Sequence, residues 1–120
     1  MKFLVVDDSR LSRTKLSKMI EEIGHEVVAE AEDGLQAITM YKEHKPEFIT
    51  MDLEMPNMKG DEASSEILAI DKNVNIILIT SIVDKKELVN ALKKGVKRVM
   101  QKPISTDKLK LTVEDIIDKN

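Results

Sequence analysis

Five short apolar runs alternate along the chain with longer stretches in which apolar residues recur every three or four positions. Runs of this length predict β-strands, and the stretches between them predict amphipathic helices. Strands that alternate with helices are typical of parallel sheets joined by crossover helices. The pattern therefore predicts an α/β fold, a doubly wound five-stranded parallel sheet with five helices, as a single domain over residues 1–120. The predicted strands are 2–6, 27–31, 48–51, 76–80 and 97–101.

The helical stretches carry start and stop signals. Ser9 is a candidate N-cap and Gly24 ends the first helix, while Asp33-Gly34 begins the second, which stops before Pro46. The residues predicted to face the sheet are Leu16, Met19, Ile20 and Ile23 in the first helix, Leu35, Ile38 and Tyr41 in the second, Ala63, Ile67, Leu68 and Ile70 in the third, Leu88, Val89 and Leu92 in the fourth, and Leu109, Val113, Ile116 and Ile117 in the fifth.

Polar side chains stand where four of the predicted strands end. Asp7 and Asp8 follow the first strand, and Asp52 follows the third. Thr80 closes the fourth strand and Lys102 the fifth. In a parallel sheet all carboxyl ends point to the same edge, where ligands bind. The sequence therefore predicts a pocket of three acids and one amine, which suits a divalent cation together with a phosphoryl group.

The acidic residues are candidate ligands for Mg²⁺, which takes oxygen ligands and keeps several waters. Neighbouring residues of an extended chain point to opposite sides, so we expect only one of Asp7 and Asp8 to touch the cation directly. The predicted direct ligands are Asp8, Asp52 and the main-chain carbonyl of Glu54, and Asp7 is expected to act through a water molecule.

Asp52 is the candidate nucleophile of the pocket, because an aspartate can attack phosphorus and form an acyl phosphate. It stands at the end of the third predicted strand, beside the first, where the site of a doubly wound sheet is expected. The Lys102 amine would neutralise charge on the transferring group, and the Thr80 hydroxyl would add a further donor.

Composition limits the remaining possibilities. Among 120 residues there is no cysteine, which excludes disulfides and thiol chemistry and fits a cytoplasmic location. No apolar stretch approaches the ~20 residues of a membrane span, and no signal peptide is apparent. The segment 85–110 carries nine Lys or Arg residues and two acids in a chain whose net charge is −3. This segment is a candidate docking surface for an acidic partner. It contains no aromatic residue to stack on bases, so a nucleic-acid partner is not expected.

Four motifs together resemble the receiver domains of two-component response regulators. The similarity covers the whole chain in the correct order and spacing, although any single motif is weak. The motifs are Val5-Val6-Asp7-Asp8-Ser9, the loop from Met51 through Asp52 and Pro56 to Gly60, Ile79-Thr80-Ser81, and Gln101-Lys102-Pro103.

The resemblance implies a role for each residue of the pocket. Asp52 is implied to accept a phosphoryl group from a sensor histidine kinase. Mg²⁺ is implied to be held by Asp8, Asp52 and the Glu54 carbonyl. Thr80 and Lys102 are implied to contact the phosphoryl oxygens. The implied protein is a signalling domain and not an enzyme, apart from its own phosphorylation and autodephosphorylation.

The resemblance also implies the flavodoxin-like, CheY-like strand order 2-1-3-4-5 and a cis Lys102–Pro103 peptide. Because the sequence ends just after the fifth helix, we expect a stand-alone, chemotaxis-like regulator. Its implied partners are the kinase and a downstream protein target, such as the flagellar motor, another effector or a phosphatase. The implied output surface is the face formed by the fourth helix, fifth strand and fifth helix.

One position departs from the family. Members usually carry an aromatic residue three positions before the lysine, and this chain has Val99 there. A branched aliphatic side chain cannot swing inward like a ring. We therefore expect phosphorylation to move Thr80 and the loop 81–85 in a smaller or differently shaped change.

Three other functions compete with the stand-alone regulator. A receiver excised from a multidomain transcriptional regulator would have the same sequence features. A Mg²⁺-dependent phosphohydrolase also uses an aspartyl nucleophile, but it usually carries a second aspartate where Glu54 stands here. A flavin-binding electron carrier would need a glycine- and hydroxyl-rich loop after the first strand and aromatic residues. Leu11, Arg13 and an aromatic content of 2% do not provide them.

Overall fold

The computed structural model describes residues 1–81 and 84–120. The expected movement of the loop 81–85 on phosphorylation involves Ile82 and Val83, which lie outside the described residues. Strands and helices alternate throughout, as the pattern predicts. No helix within the described part of the chain has the length and apolar character that crossing a membrane requires. The elements are β1 (Lys2–Val6), α1 (Arg10–Glu22), β2 (Glu26–Ala31), α2 (Gly34–His44), β3 (Phe48–Asp52), α3 (Gly60–Ile70), β4 (Asn75–Thr80), α4 (Lys85–Lys93), β5 (Arg98–Gln101) and α5 (Thr106–Lys119).

The five strands form one parallel sheet in the order β2-β1-β3-β4-β5, which confirms the predicted fold class. Every residue of β4 is buried, as expected for a strand covered on both faces. The more polar strands β2 and β5 lie at the two edges. Asp52 pairs with Ile79, and Thr80 pairs with Gln101. The sheet therefore brings the ends of β3, β4 and β5 side by side.

Alternate residues of the strands face two separate cores. Leu4 and Met51 pack with Ala37 of α2 and Ile67 of α3 on one face of the sheet. The other face packs against α1 and α5, and its core includes Phe3, Val5, Leu16, Ile20, Leu109 and Val113. Right-handed crossovers between parallel strands place helices on both faces in this way.

Four of the residues predicted to face the sheet are exposed instead: Leu35, Ile70, Val89 and Leu92. Helix α2 packs through Ala37 and Tyr41, and Leu35 lies outside that stripe. Ile70 is the last residue of α3 and is 54% exposed. In α4 the buried residue is Ala91, and the positions of Val89 and Leu92 are turned about 100° or more away from it. These helices bury narrower stripes than the apolar pattern indicates.

Candidate functional site

The end of β1 presents two neighbouring carboxylates in different environments. Asp7 is 4% exposed, whereas Asp8 is exposed to solvent. The Ser9 amide donates a hydrogen bond to Asp7 Oδ1 at 2.9 Å, and the Asp7 amide donates to the Ala31 carbonyl at 3.1 Å. Ser9 also accepts a hydrogen bond from the Ser12 amide and caps α1. The turn from β1 into α1 therefore fixes the orientation of Asp7.

The side chain of Arg13 holds this turn in place, although the sequence analysis did not predict a role for Arg13 at the site. Its Nη1 donates to the Asp7 carbonyl oxygen at 2.8 Å, and its Nε donates to Glu30 Oε1 at 3.2 Å. The residue is only 8% exposed, although it is an arginine. The sequence carries a signal for this role, because Arg13, Leu16 and Ile20 recur at helical spacing on one face of α1.

Asp52 is the last residue of β3 and lies at the centre of the pocket. It is 6% exposed, and the Leu53 amide that follows it donates to the Ile79 carbonyl at 2.8 Å. The Lys102 ammonium lies 3.3 Å from Asp52 Oδ2 and 3.5 Å from Asp7 Oδ2. Asp7 and Asp52, which lie 95 and 50 positions before Lys102 in the sequence, thus share its ammonium group.

The carboxylates of Asp7, Asp8 and Asp52 form one cluster. One oxygen atom from each lies within 4.8 Å of the others. Asp7 and Asp8 therefore both direct a carboxylate oxygen into the cluster, and their side chains do not point to opposite sides as expected for an extended chain. The extended conformation ends at Val6, and the alternation of side-chain directions ends with it. Direct contact of the cation with Asp8, and contact through a water molecule with Asp7, stay predictions.

The cluster has the donor chemistry that Mg²⁺ requires. All three side chains offer carboxylate oxygens, and neighbouring or opposite ligand atoms around Mg²⁺ are roughly 2.9 to 4.2 Å apart. The carboxylate oxygens of Asp7, Asp8 and Asp52, within 4.8 Å of one another, need to move by only a small distance to reach that spacing. Asp7, Asp8 and Asp52 therefore fit a divalent cation, while the Lys102 ammonium balances part of their charge.

The charges in the pocket shift the pKa values of Asp52 and Lys102. Burial raises the pKa of Asp52 to about 6, and the neighbouring Asp7 and Asp8 carboxylates contribute to the increase, although the Lys102 ammonium opposes it. Partial burial lowers the pKa of Lys102, but the Asp52 and Asp7 carboxylates raise it by more, so that the pKa is above its usual value. Lys102 therefore stays positively charged beside the acids.

Asp52→Asn is expected to increase the free energy of unfolding by roughly 1–3 kcal/mol above pH 6 in the absence of divalent cations. The folded-state pKa of Asp52, about 6, lies above the unfolded value. The ionised carboxylate therefore destabilises the fold progressively as pH rises from about 4 to about 6. Urea unfolding followed by circular dichroism at pH 4.5 and 7.5, with EDTA present, measures the difference. The exposed Asp118→Asn is the control, and equal gains at both pH values would contradict the prediction.

Thr80 and Lys102 are joined through the main chain. Thr80 ends β4 and is 1% exposed, and the Lys102 amide donates to its carbonyl oxygen at 2.9 Å. The Lys102–Pro103 peptide is cis, as the resemblance implies. The Glu54 side chain is exposed, with its Oε1 3.8 Å from Lys59 Nζ, and it does not join the carboxylate cluster. The ligand expected from Glu54 is its main-chain carbonyl and not its side chain, and this residue lies two positions after the end of β3.

A second supporting contact, also absent from the sequence prediction, holds the loop after β3. Asn57 Nδ2 donates to Asp33 Oδ2 at 2.8 Å, while Asp33 Oδ1 accepts from the Gln36 amide and caps α2. These hydrogen bonds lower the pKa of Asp33. Asn57 has a positive φ of 67°. The hydrogen bond ties the loop that carries Glu54 to the start of α2.

A doubly wound parallel sheet with an acidic cluster and a lysine at its carboxyl edge is typical of two-component signalling proteins. The chemotaxis protein CheY of Listeria monocytogenes serovar 1/2a is 38% identical over 109 residues, which are 91% of this chain and 92% of that protein. The chain belongs to the family of response regulator receiver domains, whose family model matches residues 3–114. Members of this family are signalling domains.

Two further relatives show how widely the fold is used. The crystal structure of the CheX-CheY-BeF3-Mg²⁺ complex from Borrelia burgdorferi contains a chain with 29% identity and a TM-score of 0.94, covering 98% of this chain and 89% of that chain. Protein-glutamate methylesterase/protein-glutamine glutaminase 3 of Paramagnetospirillum magneticum is 40% identical over 117 residues, which are 97% of this chain but 32% of that protein. Receiver sequences like this one therefore occur both alone and within longer proteins.

Proposed function

We propose that Asp52 accepts a phosphoryl group from a sensor histidine kinase in a Mg²⁺-dependent reaction, and that phosphorylation changes the affinity of the domain for a downstream protein. The observation that carries the proposal is the position of Asp52. Its nearly buried carboxylate ends a central strand, 3.3 Å from the Lys102 ammonium and within the cluster of Asp7 and Asp8. A nucleophile that adjoins both a candidate cation site and an ammonium group suits phosphoryl transfer.

The proposed step forms one bond and breaks one. An Asp52 carboxylate oxygen attacks the phosphorus, and the phosphorus–nitrogen bond to the donor histidine breaks, leaving its electron pair on the imidazole. Asp8, Asp52 and the Glu54 carbonyl, with Asp7 beside them, would hold Mg²⁺, which would supply positive charge next to the transferring group. The Lys102 ammonium, 3.3 Å from Asp52 Oδ2, supplies a second positive charge, and the Thr80 hydroxyl is proposed as a further donor.

Chemical phosphorylation tests this function directly. The protein is incubated with Mg²⁺ and acetyl phosphate, and its intact mass is measured beside that of Asp52→Asn. We expect a single phosphoryl adduct in the parent and none in the variant, because an amide oxygen is a poor nucleophile. Omitting Mg²⁺ should abolish the adduct as well. Catalytic hydrolysis of the donor without an adduct would instead favour a phosphohydrolase, and no reaction at all would contradict the proposal.

The proposed output face combines an apolar surface with positive charge. Val89 is 48% exposed and Leu92 is 46% exposed on α4, and Lys93 follows them. Arg98 of β5 pairs with Asp115 of α5, and Asp115 also pairs with Lys119 on the same helix, so Arg98 is already paired within the domain. An amphipathic, acidic partner helix fits such a face.

Charge reversal on this face should weaken binding of an acidic amphipathic helix. Lys93→Glu and Lys97→Glu are each expected to raise the Kd about three- to tenfold at low salt, for a synthetic peptide with leucines on one face and glutamates on the other. Arg98→Glu should also lower the free energy of unfolding, because it replaces the ion pair with Asp115 by a repulsion between two carboxylates. Fluorescence anisotropy of the labelled peptide measures Kd. Lys42→Glu on α2 is the matched control, and an unchanged Kd in the α4–β5 variants would contradict the proposed face.

A further inference from the structure

A cavity of about 470 Å³ opens beside the carboxylate cluster, between α1 and the segment that follows β5. Asp7 of the carboxylate cluster and Lys102, whose ammonium lies 3.3 Å from Asp52 Oδ2, are part of the wall of this cavity. The cavity thus begins at two neighbours of the nucleophile and extends along α1. Its volume lies within the range of small-molecule sites, roughly 300–1,000 Å³.

The wall of the cavity is mostly apolar and carries two positive charges, from Lys15 and Lys102, and one negative charge, from Asp7. The apolar part consists of Leu16, Met19, Ile79, Pro103 and Ile104, and the exposed side chain of Lys15 stands with Lys102 among the lining residues. Such a lining suits a ligand that has a short apolar segment and carries or develops negative charge at one end. Neither the proposed cation ligands nor the proposed output face on α4 uses Lys15, Met19 or Ile104.

We propose that this cavity holds the leaving group of a small acyl phosphate donor, with a preference for acyl chains longer than acetyl. The proposal rests on the phosphoacceptor function of Asp52. In the step, an Asp52 oxygen bonds to phosphorus while the phosphorus–oxygen bond to the acyl group breaks. The electron pair remains on the departing carboxylate, and no proton is transferred. The acyl chain contacts the apolar wall, and the Lys15 ammonium stabilises the carboxylate as its charge develops.

A series of donors with increasing chain length tests the apolar wall. The rate of adduct formation on Asp52 is measured by intact mass with acetyl, propionyl and butyryl phosphate. Each methylene that is buried should raise the second-order rate constant up to about fourfold, so butyryl phosphate should react roughly tenfold faster than acetyl phosphate. Ser12→Phe places a ring in the cavity and should bring that ratio close to one. Thr14→Phe, on the exposed side of the same helix, should leave the ratio unchanged.

A second comparison tests the role of Lys15. Phosphoramidate transfers the same phosphoryl group but leaves as ammonia, which has neither an acyl chain nor a negative charge. Lys15→Glu should slow reaction with the acyl phosphates about five- to tenfold and leave phosphoramidate nearly unaffected, whereas Lys18→Glu should change neither. Equal rates along the donor series, or a preference that survives in Ser12→Phe, would overturn the cavity proposal alone. Failure of every donor, phosphoramidate included, would overturn the phosphoacceptor function and the cavity proposal together.

Discussion

Lys102→Ala is expected to slow phosphorylation of Asp52 by about 10²–10³-fold while leaving the Mg²⁺ affinity unchanged or higher. The Lys102 ammonium lies 3.3 Å from Asp52 Oδ2 and is only half-buried, so it can follow the phosphoryl oxygens as charge moves onto them. Removing it takes away a positive charge that is needed most in the transition state. The variant should bind the cation at least as tightly as the parent, because it loses a positive charge that repels the cation and keeps all three carboxylates.

The measurement pairs a kinetic and a binding assay on the same variant. Adduct formation with acetyl phosphate is followed by intact mass, and Mg²⁺ binding is followed by isothermal titration calorimetry. Lys102→Arg keeps the charge but changes its shape, and should recover part of the rate. Lys110→Ala, an exposed lysine of α5, controls for the loss of a surface charge. A parent-like rate in Lys102→Ala, or a parallel loss of rate and Mg²⁺ affinity, would show that Lys102 has no separate role in transfer.

Gly60→Ala is expected to lower the free energy of unfolding by about 3 kcal/mol or more. A Cβ atom at Gly60 would lie 2.1 Å from the Asp52 carbonyl oxygen and 2.9 Å from its carbonyl carbon. Both contacts involve the main chain of β3, which has no flexible side chain to move aside. The Gly60 amide also donates to the Leu53 carbonyl at 2.9 Å, so a shift of α3 would break this hydrogen bond. The variant should also phosphorylate more slowly, because Asp52 itself is displaced.

Gly24→Ala is the matched control for Gly60→Ala. Gly24 has a φ of +94° and no atom within 4 Å of an added Cβ, so the change introduces backbone strain without a collision. Its cost should be about 1–2 kcal/mol, with no effect on the rate of phosphorylation. Urea unfolding by circular dichroism and adduct formation by intact mass measure both variants. Equal stability losses in the two variants would contradict the steric argument for Gly60.

Several features of the pocket could be predicted from the sequence because they follow from strand ends. Asp7, Asp52, Thr80 and Lys102 each end or follow an apolar run, and parallel strands must bring those ends to one edge. The supporting contacts could not be predicted in this way. Arg13 reaches the Asp7 carbonyl and Asn57 reaches Asp33 through side chains, and periodicity does not specify such partners. The relative directions of Asp7 and Asp8 also depended on where the extended conformation stops.

The sequence by itself determined the fold class, the two-sided core and the residues gathered at the carboxyl edge, because apolar periodicity and the alternation of strands with helices along the chain leave few alternatives. The tertiary structure alone decided which apolar side chains are exposed. Val89 and Leu92 follow the helical pattern, but α4 covers the sheet with a narrow stripe around Ala91 and leaves them in solvent. It also decided how the acids are arranged and compensated. Burial, the distances between carboxylates and the position of the Lys102 ammonium are properties of packing between distant segments, and no local pattern contains them.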